Sequence, residues 1–507
     1  MIKTITDYLD NNANKYHDKV IFIENNDNKI TYGDFRDDAR KIGSSIIKRG
    51  AFQEPISIFI DKSIDTLKAM MGILYSGNFY TVIDTNSPSN RINTIFDTLK
   101  PKFVLTNNKN IDKLNKLNLN VEIINIDDIS EKEDTALLKS VNDKIISTDT
   151  AYVLFTSGST GVPKGSIISH KSLISYVNWF SEAFDINDKT IFGSQTPFYF
   201  SMSVSDVFST IMNGSTLCII PKVNFSFPLN LMKYLNEYKI NTIYWVPSAL
   251  SIVANMHTFD YIMPEYLEKV LFAGEVMPMP SLNIWRKKLP SLMYANLFGP
   301  TETTDICTYY VVNRDFDDTE TLPIGVSCNN CDVVLVKDDN VKASEGEIGE
   351  LYVRGDFVGD GYYNNEEKTK LAFVQNPLNT HYPEIVYKTG DLGRINEYGE
   401  IEYLGRKDFQ IKHMGYRIEL GEIETNFNAM DGINICACIY DEVKSNIVLF
   451  YESNTLDDAA VINYGNEKLL NYMRPNKVIK ISAMPRNANG KIDRVLLKSI
   501  YREEDVK

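Results

Sequence analysis

The chain has 507 residues, 43% of them hydrophobic, which is too long for one compact domain and enough to bury several cores. Its formal net charge of −14 excludes a nucleic-acid backbone or an anionic membrane surface as the main partner, because both recruit basic faces. Six cysteines in so long a chain exclude a disulfide framework.

The N-terminal stretch MIKTITDYLDNNANKYHDK is polar and amphipathic, without the apolar core or small-residue cleavage site of a secretory signal. No apolar run reaches the length of a membrane span, so a soluble cytoplasmic protein is expected. ITYGDF reads as a strand and turn, and RDDARKIGSSIIKRG as a helix stopped by Gly50. PISIFID and SIDTLKAMMGILYSG repeat the pattern, and KFVLTNN and VEIINIDD continue it. Strands alternating with helices predict parallel sheets covered on both faces. In NNKNIDKLNKLNLN the Ile and Leu keep a helical rhythm, so this biased stretch is read as a solvated helix.

An apolar, β-prone run, Ala151 to Phe155, then feeds Thr156, Ser157, Gly158, Ser159, Thr160 and Gly161, closed by Pro163, Lys164 and Gly165. Such a loop presents backbone N–H groups, hydroxyls and one ammonium at a single point, which suits polyphosphate oxygens. The order Pro-Lys-Gly sets it apart from the common nucleotide-binding loop ending Gly-Lys-Ser/Thr. Taken alone, a Ser/Gly-rich turn is equally a surface loop.

KSLISYVNWFSEAF follows as a helix, and TLCII, NTIYWV, KVLFAG and SLMYANLFG as strands. Ligands in open α/β sheets lie beyond the carboxyl ends of strands, so the loops at Trp245 to Pro247, Ala273 to Glu275 and Asn296 to Glu302 are expected to converge. From about residue 323 to 407 the texture is β-rich and Gly-punctuated. Residues 408–507 read as a separate α+β domain. Cys328 and Cys331 are spaced C-x-x-C, but Cys436 and Cys438 sit in the strand-like INICACIYD with no nearby His. Reduced thiols are therefore expected rather than a split zinc site.

Five segments in this order, FTSGSTGVPKG, NLFGPTETTD, YKTGDLGR, GRKDFQIKHMGYRIELGEIE and NGKIDR, resemble the adenylate-forming superfamily of peptide-synthetase adenylation domains, acyl-CoA ligases and luciferases. The resemblance covers nearly the whole chain. TPFYFSMSVSDVF, FAGEVMP and RKDFQIKHMGYRIELGEIE are most similar to amino-acid activating members, in particular free-standing ligases that load D-alanine onto a carrier protein. No carrier attachment sequence follows Arg494, so the expected carrier is a separate polypeptide.

The resemblance implies an α/β fold: a large N-terminal domain of stacked α/β sheets with a β subdomain (1–407), then a small mobile α+β lid domain (408–507) hinged at Asp408. It implies ATP and Mg²⁺ as cofactors and a carboxylate that attacks the α-phosphorus with loss of pyrophosphate. The nucleophile is already ionised, so the protein has to position and stabilise charge. By the same resemblance, Thr156, Ser157, Gly158, Ser159, Thr160 and Lys164 hold the β and γ phosphates, with Gly161, Gly274, Glu275, Asn296, Leu297 and Gly299 lining the nucleotide. Thr301 and Glu302 contact the α-phosphate and Mg²⁺. Phe298 stacks on adenine or is a core aromatic. Asp391 and Arg406 hold the ribose or form a surface ion pair.

Lys491 is expected to bridge the substrate carboxylate and α-phosphate. Asp408 is the expected hinge, and the segment around Gly415 is expected to admit a thiol for the second, thioester-forming step. Phe200, Ser201, Trp245, Ala273, Leu297, Asp305 and Ile306 line the acid pocket, with the bulk of Trp245 favouring a small acid. Amino-acid activating relatives carry Asp in FDxSV, whereas FSMSV here puts Ser201 at that position. Either the substrate lacks an α-amine or its charge is met elsewhere. Asp305 is the candidate for an amine on the β or γ carbon, with a solvated or helix-capping Asp as the plainer reading. The alternatives to carrier loading are an acyl-CoA ligase using free coenzyme A and a non-catalytic nucleotide-binding relative.

Overall fold

The structure, a computed structural model, describes residues 2–158, 162–486 and 492–505. Its contacts divide the chain into two units: Met1–Thr85, Phe96–Phe155 and Gly165–Lys407 in one, and Asn86–Ile95, Thr156–Lys164 and Asp408–Lys507 in the other.

In the first unit, fully buried apolar runs such as TIYW and FYTV make strands, the composition of parallel sheets covered on both faces. A nine-stranded sheet has Val20–Ile23, Thr216–Ile219, Ile191–Ser194, Thr242–Trp245, Lys269–Ala273 and Met293–Phe298 parallel and side by side. Thr308–Val311 and Val326–Ser327 close one edge antiparallel, and Lys29–Thr31 the other. A six-stranded sheet has Glu122–Asn125, Phe103–Thr106, Pro55–Ile58, Phe79–Val82 and Thr150–Thr156 in parallel.

The helices pack closely where small residues allow it. A Cβ on Gly43, in helix Tyr32–Lys48, would lie 3.0 Å from the Gly72 carbonyl of helix Ile64–Tyr75, so only a residue without a side chain lets these axes approach.

Two local expectations are corrected. The strand in ITYGDF ends at Thr31, whose side chain accepts from the Asp34 N–H and starts the helix at Tyr32; an N-cap outweighs the β-prone spelling. The Asn/Lys-rich stretch holds only the short helix Ile111–Asn115, since its few apolar residues bury too little to extend it.

An antiparallel five-stranded sheet forms the β subdomain, with Gly349–Gly355 and Ile385–Ile395 central and Ile401–Arg406 paired to the latter.

The second unit carries the hairpin Gln410–His413 and Tyr416–Glu419. Its turn uses Met414 and Gly415 at φ +52° and +79°, the pair of positive values that a tight hairpin demands. A three-stranded sheet of Ile435–Asp441, Asn446–Glu452 and Lys477–Lys480 follows. Its period-two alternation divides the core. Cys436, Cys438, Leu449 and Tyr451 face helix Leu420–Asn428, while Ala437, Ile439, Val448 and Phe450 face Leu497 and Tyr501. All six cysteines are free and buried. Among the described residues no helix is long and apolar enough to cross a membrane.

Candidate active site

In the first unit, strand Met293–Phe298 ends in a turn that folds back tightly, the Cys307 N–H donating to the Phe298 carbonyl at 2.8 Å. A Cβ on Gly299 would meet the Asp305 carbonyl oxygen at 2.2 Å, so that position must be glycine. Thr304 holds φ +69°, a strained value for a β-branched residue. Its hydroxyl is tied to the Phe357 carbonyl at 2.9 Å, which holds the turn in that shape and directs Asp305 inward.

Asp305 is 2% exposed. Three hydroxyls donate to its Oδ2: Ser205 at 2.8 Å, Tyr244 at 3.1 Å and Tyr176 at 3.1 Å. They arrive from helix Met202–Asn213, strand Thr242–Trp245 and helix His170–Ala183. Burial pushes the carboxyl up to about 6, against hydrogen bonds from these hydroxyls and Ser201 that favour the ionised form. Asp305 therefore neither lies in solvent nor caps a helix. Ser201 Oγ stands 3.2 Å from Thr301 Oγ1. Close by, the Lys62 ammonium donates to the Ser194 carbonyl at 3.0 Å. Burial lowers its pKa and raises that of Asp206, their mutual attraction opposing both shifts.

The same unit holds the residues expected at the nucleotide. Asp391 Oδ2 and Arg406 Nη1 pair at 3.0 Å with both side chains almost fully buried; this is not a surface ion pair. Asp391 Oδ1 is buried without a partner among the described residues, an unsatisfied acceptor that calls for donors. Glu350 accepts the Gly390 N–H at 3.1 Å and pairs with Lys407 at 3.1 Å, steadying the turn before Asp391. Glu302 is fully buried, and the Tyr362 hydroxyl donates to its Oε1 at 2.6 Å.

Phe298 is buried with its ring 5.5 Å from that of Tyr403. Asn296 donates to the Pro323 carbonyl, and Glu275 accepts the Ser248 N–H. Gly274 lies at φ +92°. Ala273, Leu297 and Ile306 are buried, and Phe200 half-buried. Trp245 is wholly buried, its indole N–H on the Gly193 carbonyl and its ring edge on Phe225.

In the second unit, Thr156 Oγ1 is buried without a partner among the described residues. Ser157 donates to the Arg417 carbonyl at 2.6 Å. A Cβ on Gly158 would meet the Val162 carbonyl oxygen at 2.0 Å. Lys164 Nζ lies 4.0 Å from Glu419, and Arg91 pairs with Glu422. Asp408 accepts the Gln410 N–H at 3.2 Å, and Gly415 occupies the hairpin turn. Ser159, Thr160, Gly161 and Lys491 lie outside the described residues.

Sequence reading missed Tyr362, Glu350 and the three hydroxyls around Asp305. Glu350 and Tyr362 were legible only as members of GELYVRG and GDGYYN, and nothing in their spacing pairs them with Gly390 or Glu302. Tyr176, Ser205 and Tyr244 read simply as members of apolar helices and strands.

A sequence model described as AMP-binding enzyme matches residues 9–363. The chain is 32% identical over 481 residues to zwittermicin A synthase ZmaJ of Bacillus cereus, covering 92% of this chain and 90% of that protein. It is 30% identical over 510 residues to the D-alanine–D-alanyl carrier protein ligase of Lacticaseibacillus casei, covering 98% and 99%. The solved structure of the Vibrio cholerae adenylation domain AlmE, in complex with glycyl-adenosine-5'-phosphate, superposes with a TM-score of 0.85 at 20% identity, covering 99% of this chain and 98% of that one. The chain belongs to the AMP-binding enzyme family and is an adenylate-forming enzyme.

Proposed function

We propose that this enzyme activates a small carboxylic acid with ATP and then passes the acyl group to the phosphopantetheine thiol of a separate holo carrier protein. The observation that carries the nucleotide half is the buried Asp391 carboxylate, oriented by Arg406 through Oδ2, with Oδ1 lacking a donor among the described residues. The two ribose hydroxyls supply such donors. Thr156, whose hydroxyl is likewise buried without a partner among the described residues, takes a phosphate oxygen together with Lys164.

Mg²⁺ fits the donor set: Glu302, oriented by Tyr362, offers the hard carboxylate oxygen that this cation takes alongside phosphate oxygens. When bound, it neutralises charge on the polyphosphate. A substrate carboxylate oxygen forms a bond to the α-phosphorus as the bond to the bridging oxygen breaks and pyrophosphate leaves. Thr301 and Lys491 stabilise the charge that accumulates. In the second step the carrier thiol attacks the acyl carbon, AMP departs and the thiol proton passes to solvent. The 408–507 domain turns about Asp408 between the steps and brings the Gly415 turn to the thiol. The similarity to a carrier protein ligase over almost the full length of both chains supports a carrier as acceptor.

The test is acid-dependent ATP–pyrophosphate exchange followed by mass spectrometry of a holo carrier and of coenzyme A offered in parallel. Exchange lost in Lys491→Ala, lost with EDTA and restored by Mg²⁺, with loading of the carrier, is the expected result. Loading of coenzyme A alone overturns the choice of acceptor. No exchange with any acid, with ATP still bound, overturns the catalytic reading.

A further inference from the structure

The acid pocket carries a negative group in an unusual place. Next to Thr301, which we place at the α-phosphate and hence beside the reacting carboxylate, stands a neutral hydroxyl, Ser201, 3.2 Å away. The anion, Asp305, lies one hydrogen bond beyond Ser201 and is held by the Tyr176, Ser205 and Tyr244 hydroxyls. All three hydroxyls converge on Oδ2, and Ser201, itself next to Thr301, adds a further hydrogen bond to the carboxyl. Aromatic rings back this cage: Tyr176 against Trp179 and Phe357, and Phe180 against Tyr244. A carboxylate in such surroundings costs free energy unless it meets a cation. The buried Lys62 does not supply one directly, since its ammonium is engaged by the Ser194 carbonyl and by the attraction of Asp206.

We infer that Asp305, oriented by the Tyr176, Ser205 and Tyr244 hydroxyls, binds the ammonium of an amino acid whose amine lies beyond the α carbon, and that this pocket selects β- or γ-amino acids. This rests on the adenylation reading above. An α-ammonium is attached one bond from the carboxylate-bearing carbon, beside Ser201, where only hydroxyls are available. One or two further methylenes carry the nitrogen past Ser201 to the carboxylate. Plain acids of the same length leave Asp305 buried opposite a methyl group, and hydroxy acids offer it one neutral hydrogen bond. The three hydroxyl residues are positioning residues, because they act on the ligand through Asp305.

The deciding experiment is pyrophosphate exchange by the full chain with glycine, α-alanine, β-alanine, γ-aminobutyrate, propionate, butyrate and 3-hydroxypropionate. β-Alanine or γ-aminobutyrate is expected to lead the panel. Asp305→Asn is expected to lower the kcat/KM preference for the favoured amino acid over the matched amine-free acid about 100-fold, the scale for removing one member of a buried charge pair. Tyr244→Phe is expected to raise KM for the amino acid and leave kcat nearly unchanged.

A panel led by an α-amino or amine-free acid overturns this inference and leaves adenylation standing. Silence with every acid, with ATP still raising the melting temperature, overturns the adenylation reading and this inference with it. Equal losses for all acids in a folded Asp305→Asn protein make Asp305 a structural residue and also overturn the inference. The wild-type panel decides the question even if the variant does not fold.

Discussion

Removing one charge from the Asp391 and Arg406 pair separates nucleotide recognition from structural support. In Asp391→Asn the side chain keeps its shape, and the amide oxygen can take the place of Oδ2 as acceptor for Arg406, whose Nη1 lies 3.0 Å from that atom of the carboxylate. The buried interaction changes from ionic to neutral. A hydrogen bond to a charged group contributes about 1.5–3 kcal/mol and a neutral one about 0.5–1.5. The fold is expected to lose about 1–2 kcal/mol, seen as a lower melting midpoint.

The nucleotide effect is read by a cycle in which ATP, 2'-deoxy-ATP and 3'-deoxy-ATP are offered to both proteins. The natural protein is expected to discriminate against each deoxy analogue by about 1.5–3 kcal/mol, which is roughly 10- to 100-fold in affinity. In the Asn variant most of that discrimination disappears. Binding can be followed by calorimetry or by thermal shift against ligand concentration. Equal affinity of the natural protein for ATP and both deoxy analogues would refute the ribose assignment, as would full discrimination surviving in the variant.

Other perturbations reach different parts of the site. Tyr362→Phe removes the hydroxyl that orients Glu302. It is expected to lower kcat of exchange and raise the Mg²⁺ concentration needed for half-maximal rate, leaving the binding of metal-free ATP unchanged in titration. Gly299→Ala puts a methyl 2.2 Å from a backbone oxygen of its own turn. Overpacking costs about 1–3 kcal/mol or more, and the turn carries Asp305, so a lowered melting midpoint with weakened acid binding is expected.

The pH response of Asp305 has a definite sign. Burial raises its carboxyl from the ordinary value near ~3.9 to about 6, so the folded state keeps a proton that the unfolded chain releases. Its contribution to stability therefore falls as pH climbs from about 4 to 6 and levels off above. KM for an amino acid is expected to fall over the approach to pH 6 as the carboxylate ionises. The facing groups are Tyr176, Tyr244, Ser205 and Ser201, with Cys328 and Asp206 at longer range. The tyrosines and Cys328 stay neutral in this window. Asp206, raised to about 7 and opposed by Lys62, titrates just above it. Asp305→Asn is expected to abolish the lower inflection in a pH profile of kcat/KM.

Much of the scaffold could be read from the chain because it is written in local signals. The largely buried runs TIYW, KVLFA and ICACIYD became the strands expected of them. Asp391 and Arg406 stood out because each lies in a short spelled motif, and the two face each other across neighbouring strands. The surroundings of Asp305 were illegible for the opposite reason. Its partners lie 129, 100 and 61 residues away, in segments whose apolar periodicity explains them without any site. Tyr362, 60 residues from Glu302, is hidden in the same way. Thr31 shows the local limit, where one side-chain cap converted an apparently extended stretch into the first turn of a helix.

The cysteines give the enzyme a chemical silence that its proposed product requires. An acyl adenylate reacts with any accessible thiolate, including one on the protein that made it. Here all six thiols are buried, and burial pushes Cys218 and Cys436 up to about 12 and raises Cys328, Cys331 and Cys438 as well. Thiolate is the reactive form, so the folded chain offers its own intermediate almost no internal thiolate. The activated acyl group is left for an external acceptor, and a thiol-reactive dye added to an assay mixture will count that acceptor while the intact enzyme stays dark.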